Sequence, residues 1–175
     1  MAVLPIRMFP DPVLREPALP VGVVDDDVRK LIRDMHESMR AAAGIGLAAP
    51  QVGVQRRVLV YDVGDGLRAL VDPEILSSEG EDVDEEGCLS IPGLAFEVKR
   101  AERIQVRGLD ESGEEVRYEA EEMHARVLQH EIDHLDGILY IDRLDRPARA
   151  EAMRVLRERA LSPSPAAPPS AATRL

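Results

Sequence analysis

One cysteine stands in 175 residues, so no intrachain disulfide can form and a disulfide-stapled scaffold is excluded. Tryptophan is absent and aromatics make up only 3% of the chain. That leaves too few rings for the stacking platforms of single-strand nucleic-acid binders. Positive charge is also short: 22 Lys and Arg against 33 Asp and Glu give a formal charge of −11. A balance that acidic has the wrong sign for gripping DNA or RNA over a broad face. Long apolar runs are missing. Pro5, Pro10 and Pro12 cut the N-terminal stretch short of a signal-peptide core, and no run reaches the ~20 residues of a membrane span. No membrane partner is expected, and the expected address is the cytoplasm, where a lone thiol stays reduced.

What is present is enough apolar material, 45% of residues, for one domain with a core. Residues 1–24 read as a proline-punctuated extended arm. From Asp25 the pattern turns helical, with Val28, Leu31, Ile32, Met35 and Met39 on one face and Asp25-Asp26-Asp27 at its start. The segment GIGLAAPQVG (44–53) has no amphipathic period and reads as a tight loop. Strands are predicted at 57–63, 68–71, 94–98, 103–109 and 115–120, with glycine-bearing turns at 62–66 and 110–113. The acidic run 79–86 reads as a solvated loop, and the segment after Pro92 is loop-like beyond its short strand. A second helix is predicted over 121–135 with Gly137 just past its end, then a short strand at 138–141, then a third helix opened by Pro147 and running to about Leu161. The Pro/Ala-rich residues 162–175 are expected to be a disordered tail. The plan is a single α+β domain over 1–161, with mixed or antiparallel sheets packed around the second helix.

That helix carries His130-Glu131-Ile132-Asp133-His134. Residues four apart share a helix face, so both imidazoles can reach one metal ion, while Glu131 can touch a water beside it. The apolar neighbours Val127, Leu128, Ile132 and Leu135 imply a buried helix, where such a cluster needs a partner to offset its desolvation. Catalytic centres usually show three protein ligands and one open position. No histidine follows His134, and the carboxylates Asp136, Asp142 and Asp145 fall in no recognised pattern. Cys88, in Glu86-Gly87-Cys88-Leu89-Ser90, is the other candidate. Its acidic surroundings disfavour a free thiolate nucleophile, whereas a metal deprotonates a thiol regardless, so the ligand reading is favoured.

Three segments now line up: GIGLAAPQVG (44–53), EEGCLSIPG (85–93) and QHEIDHLDG (129–137). In that order and spacing they resemble the signature motifs of bacterial peptide deformylases, and FPDPVLREPALPV (9–21) is similar to that family's N-terminal stretch. The resemblance covers roughly residues 4–145. It implies a metal held by Cys88, His130 and His134, physiologically Fe²⁺, with Zn²⁺, Ni²⁺ or Co²⁺ as substitutes. It implies Glu131 as the acid–base group, with the Gln51 amide and the Leu89 N–H facing the developing oxyanion of N-formylmethionyl peptides. Ile45 would wall the methionine pocket with Met123 and Val127, unless those two are plain core residues, and Gly46, with Gly44, would let the backbone approach the peptide closely. Arg126 would lend its aliphatic stem while its charge stays in water. Glu86 and Arg100 would form either an ion pair steadying the cysteine loop or a solvated pair. The arginines of the third helix (Arg146, Arg149, Arg154, Arg157 and Arg159, with Arg143 just before it) would dock to the ribosome or form a solvated face. Two other classes are weighed against this reading: an HExxH-type zinc endopeptidase and a non-catalytic metal- or ribosome-binding module.

Overall fold

A computed structural model describes residues 2–161; the stretch expected to be a disordered tail lies outside them. Three helices, α1 (Asp26–Ala41), α2 (Glu122–Leu135) and α3 (Arg146–Leu161), accompany seven strands. These are β1 (Gly46–Ala48), β2 (Val58–Tyr61), β3 (Arg68–Glu79), β4 (Asp82–Cys88), β5 (Ile91–Arg100), β6 (Arg103–Leu109) and β7 (Glu115–Glu121). Five strands form one antiparallel sheet in the order β1-β2-β3-β6-β7, and β4 and β5 form a separate hairpin.

The sheet lies between two helices, which accounts for its apolar pattern. In β2, Val58 and Val60 join the cluster under α1, while Leu59 and Tyr61 face α2. A strand covered on both faces reads as a continuous apolar run, here VLVY. In β6 the buried residues alternate, with Ile104 and Val106 facing the α2 cluster. One face of that strand stays wet. Helix α1 begins where expected, because the Asp25 carboxylate accepts the Val28 N–H at 2.9 Å. Helix α2 ends at Gly137, whose φ of +74° and contact with the Arg15 carbonyl leave no room for a Cβ. A third cluster, with Leu14, Cys88, Ile91, Val98, Leu139 and Tyr140, fills the space beneath the β4–β5 hairpin.

Several expectations need correction. Residues 44–53 are not a loop: β1 pairs with β2, and Ala49–Val52 form a 3-10 turn. Three residues of edge pairing leave too short a period to read. The acidic run is mostly strand, because β4 pairs with β5 from Asp82 to Arg100 and buries Glu86. Backbone pairing there overrides a composition that suggests a loop. The segment after Pro92 lies inside β5. Strand β3 continues to Glu79 past an irregularity at Asp72-Pro73, where Asp72 has a φ of +50° and the pairing with β6 shifts register. The predicted strand at 138–141 is instead a 3-10 turn, Tyr140–Asp142, in which the Asp142 carboxylate accepts the Leu139 N–H at 3.0 Å. The arm is not wholly extended either, since Pro12–Arg15 make a 3-10 turn.

Candidate metal centre and active site

Cys88 ends β4 and begins the two-residue turn Leu89-Ser90, while His130 and His134 project from one face of α2. Their ligand atoms all lie within 4.8 Å of one another, and all three residues are buried. The sulfur is 3.3 Å from His134 Nε2. His130 Nδ1 lies 3.0 Å from Glu86 Oε2. A carboxylate only accepts, so Nδ1 donates to it and Nε2 is the nitrogen left to face a metal. Among the described residues His130 Nε2 is buried without a hydrogen-bond partner. A soft sulfur and two buried imidazoles, one of them with its Nε2 unpartnered among the described residues, suit a divalent transition metal. Burial and the neighbouring His130 and Arg100 hold His134 well below the usual histidine range, so it is neutral and able to ligate. Burial pushes the Cys88 thiol up to about 12; a bound cation would reverse that preference.

Glu131 sits between the histidines, fully buried, with neither carboxylate oxygen hydrogen-bonded among the described residues. Burial, then the nearby Glu86 carboxylate, raises it well above the usual carboxylate range despite Arg100. A carboxylate raised in this way is suited to general acid–base work. The room it occupies comes from Gly46, because a Cβ there would fall on the Glu131 carboxylate. A Cβ on Gly44 would meet Leu89 Cδ1 at 2.7 Å. Segment 44–46 is therefore packed on two site residues, a reason for glycine additional to peptide approach.

Gln51 reaches the centre from the 3-10 turn. Its Oε1 accepts the Ala48 N–H at 2.8 Å, which fixes the amide orientation and turns Nε2 toward Ser90 Oγ (3.2 Å) and Cys88 Sγ (3.7 Å). Ile45 and Met123 are half-buried at the edge of the α2 cluster, and Val127 lies within it, fully buried.

Behind the histidines lies a buried ionic network. Glu86 Oε1 accepts from Arg100 Nε (2.8 Å) and Arg126 Nη1 (2.7 Å), and Oε2 accepts from Arg100 Nη2 (3.0 Å). Arg100 also donates to Asp133 at 2.6 Å, and Arg143 clasps Asp133 with two bonds. The Glu86–Arg100 pair is thus buried rather than solvated. Burial alone would raise Glu86, but the hydrogen bonds from His130 and Arg100 hold it well below the ordinary carboxylate range. Arg126 departs from expectation, because its charge is 1% exposed and not in water. It donates to Glu86, to the Asp82 carboxylate and to the carbonyls of Asp82, Asp84 and Val98, stapling α2 to the hairpin. Sequence reasoning also passed over Ser90 and Asp133, although both lie inside the motifs. Of the other histidines, His36 Nε2 lies 3.1 Å from the Arg68 carbonyl, and the His124 ring packs against Tyr61 and Tyr118.

A buried Cys/His/His cluster with an uncommitted carboxylate beside it defines a metal-dependent hydrolase. The family model described as polypeptide deformylase matches residues 3–150. A peptide deformylase from Acidothermus cellulolyticus is 53% identical over 158 residues, covering 90% of this chain and 88% of its own. The crystal structure of peptide deformylase from Thermus thermophilus superposes with a TM-score of 0.86 at 45% identity, covering 91% of this chain and 96% of that one. A peptide deformylase structure from Legionella pneumophila gives 0.85 at 41% identity over 94% and 100%. The chain belongs to the polypeptide deformylase family. It is accordingly a metal-dependent hydrolase that removes N-formyl groups from peptides, and neither the endopeptidase nor the non-catalytic reading finds support. The downstream carboxylates of the endopeptidase reading are otherwise engaged: Asp136 pairs with Arg57, Asp142 with Arg15 and Arg149, and Asp145 accepts the Ala148 N–H.

Proposed function

We propose that residues 1–161 form one catalytic domain that deformylates N-formylmethionyl nascent peptides at a divalent ion held by Cys88, His130 and His134. The observation that carries this reading is the buried pair of orphans, His130 Nε2 and the Glu131 carboxylate, beside a thiol. A divalent ion held there would supply Lewis-acid polarisation of water and of the formyl oxygen. Glu131 takes a proton from the attacking water as its oxygen adds to the formyl carbon. The Gln51 amide and the Leu89 N–H stabilise the charge that builds on the formyl oxygen. Glu131 then gives its proton to the amine nitrogen as the C–N bond breaks, leaving formate and a free N-terminus. Ile45, Met123 and Val127 form the side-chain pocket, with Gly46 at its backbone edge.

Fe²⁺ is the proposed resident ion, on the family resemblance and on a mixed thiolate–imidazole donor set that Zn²⁺, Ni²⁺ and Co²⁺ also suit. A cytoplasmic setting is proposed with it; no helix among the described residues is long and apolar enough to cross a membrane. Docking of α3 to the ribosome rests on fewer arginines than the sequence offers. Arg143, Arg149 and Arg154 are in ion pairs and Arg159 donates to the Pro92 and Gly93 carbonyls, which leaves Arg146 and Arg157 without an ion pair among the described residues. These two border a groove with Leu144, Ala150 and Met153.

The test is formate release from formyl-Met-Ala-Ser by wild type and Glu131→Gln, with metal content measured on the same samples. The variant should retain its metal and lose about 10²–10⁴ in rate, because an amide cannot take up the proton. Near-normal turnover by the variant would overturn the assignment.

A further inference from the structure

The N-terminal arm touches both turns that carry the oxyanion donors. Arg7 N–H donates to the Gln51 carbonyl at 2.7 Å, and Phe9 N–H donates to the Ser90 carbonyl at 2.9 Å. Gln51 and Ser90 are 39 residues apart in the chain and lie on separate elements, a 3-10 turn and the β4–β5 turn. The arm's side chains divide in the same way. Leu4 and Ile6 pack on the cluster containing Leu89, Leu47 and Val52, whereas Phe9 packs on the cluster containing Cys88 and Ile91. Cys88 and Leu89 are adjacent yet belong to different clusters, so the arm crosses the boundary that runs between metal ligand and proposed oxyanion donor. The arm is itself tied down further back, where Leu4 N–H donates to Ser38 Oγ and Ala2 N–H to the Asp34 carboxylate, both at 2.8 Å.

Backbone bonds of this kind fix carbonyls, and through them the peptide planes beside the working groups. The Gln51 side chain is oriented by Ala48 and Ser90, so its amide can stay aimed only while the 3-10 turn and the hairpin turn keep their spacing. A 3.2 Å bond between Gln51 Nε2 and Ser90 Oγ links those turns directly at side-chain level. The two arm bonds close the same gap through the main chain.

We propose that residues 4–9 are a positioning strap that holds the Gln51 turn and the Leu89-Ser90 turn at the spacing the oxyanion requires. The inference rests on the roles proposed above for Gln51 and Leu89. The strap touches neither substrate nor metal and acts only through those two turns.

Arg7→Pro removes the N–H that bonds Gln51. It is compared with Arg7→Ala, which loses the same side chain and keeps the N–H. Relative to R7A, R7P should lower kcat between about tenfold and a hundredfold, the range for a displacement on the order of 1 Å at a catalytic group. KM should stay within about twofold, metal content should be unchanged, and amide hydrogen exchange over 87–91 should quicken. Equal kcat and exchange in R7P and R7A would overturn the strap. If R7P does not accumulate as folded protein, Ile6→Ala carries the test: every backbone donor remains, and about a threefold or greater fall in kcat with retained metal supports the strap, whereas no fall overturns it. Gln51→Ala separates this inference from its foundation. If Q51A keeps full kcat, the oxyanion assignment is wrong; if Q51A is impaired and R7P is not, only the strap is wrong. In the double variant, the R7P loss should shrink without vanishing, because only the Leu89 N–H is left to misplace.

Discussion

Replacing Glu86 by glutamine tests the buried network at its most connected point. Four donors converge on this carboxylate, two on each oxygen: Arg100 Nε and Arg126 Nη1 on Oε1, Arg100 Nη2 and His130 Nδ1 on Oε2. A glutamine can offer only one acceptor oxygen. Whichever way its amide is turned, the NH₂ group opposes two donors, and both buried arginines lose their shared negative partner. Breaking a buried charge pair by removing one member costs about 3–5 kcal/mol. In a chain of this size each kcal/mol moves the melting temperature by about 2–4 °C, so E86Q should melt about 6–20 °C lower. If the amide nitrogen faces His130, the imidazole loses the acceptor that fixes its proton on Nδ1, and metal affinity should fall about 10–100-fold. Thermal melts of metal-free protein read the first effect, and chelator competition reads the second. An E86Q protein that melts within about 2 °C of wild type and holds metal as tightly would refute the idea that this network orients His130.

Gly46→Ala should cost about 10² in kcat, because its Cβ would displace the Glu131 carboxylate by something on the order of 1 Å; kcat within about twofold of wild type would mean that Glu131 has slack elsewhere. Cys88→Ala should lose metal and activity together, since two imidazoles leave the geometry open; a full metal equivalent in that variant, measured by elemental analysis, would remove Cys88 from the ligand set. If iron is the resident ion, aeration should inactivate the enzyme and add oxygen to the Cys88 peptide, detectable by mass spectrometry, because a sulfinic or sulfonic cysteine does not revert unaided. Iron-loaded protein that stays active in air with Cys88 unmodified would rule out that route.

The helices were legible in the sequence because their signals are local. Asp25 caps α1, Gly137 terminates α2, and Asp145 bonds the first turn of α3 one residue ahead of where Pro147 points. The turns at 62–66 and 110–113 were legible too, with Asp62 and Asp110 bonding backbone N–H groups two and four residues on. That His130 and His134 share one face of α2 could be read from their spacing alone, and the structure brings Cys88 within 4.8 Å of their ligand atoms. What escaped depends on distant partners. β1 is a strand only because β2 lies beside it, and β4 survives its acidic composition because β5 satisfies its backbone. Arg126 shows the same limit within a helix. Its position on α2 is evident from spacing, but Asp82, Asp84, Glu86 and Val98, which draw its charge inside, come from a hairpin 28 to 44 residues away.

Glu131 and Asp133 show why composition alone could not separate these fates. Two carboxylates stand two residues apart in one motif, both nearly fully buried. On a helix, positions i and i+2 diverge by roughly 200°, so they face different surroundings. Asp133 meets the guanidinium forks of Arg100 and Arg143 and is bound by both. Glu131 meets the backbone at Gly46 and has no donor on either oxygen among the described residues. A carboxylate clasped by two guanidiniums anchors; an unpaired one in the same low-dielectric interior is pushed toward the protonated state. Glycine at 46 and arginine at 100 and 143 therefore divide one acidic motif into an anchor and a group able to carry a proton. The division lies in the partners that the fold brings to each side of the helix, not in the two acids themselves.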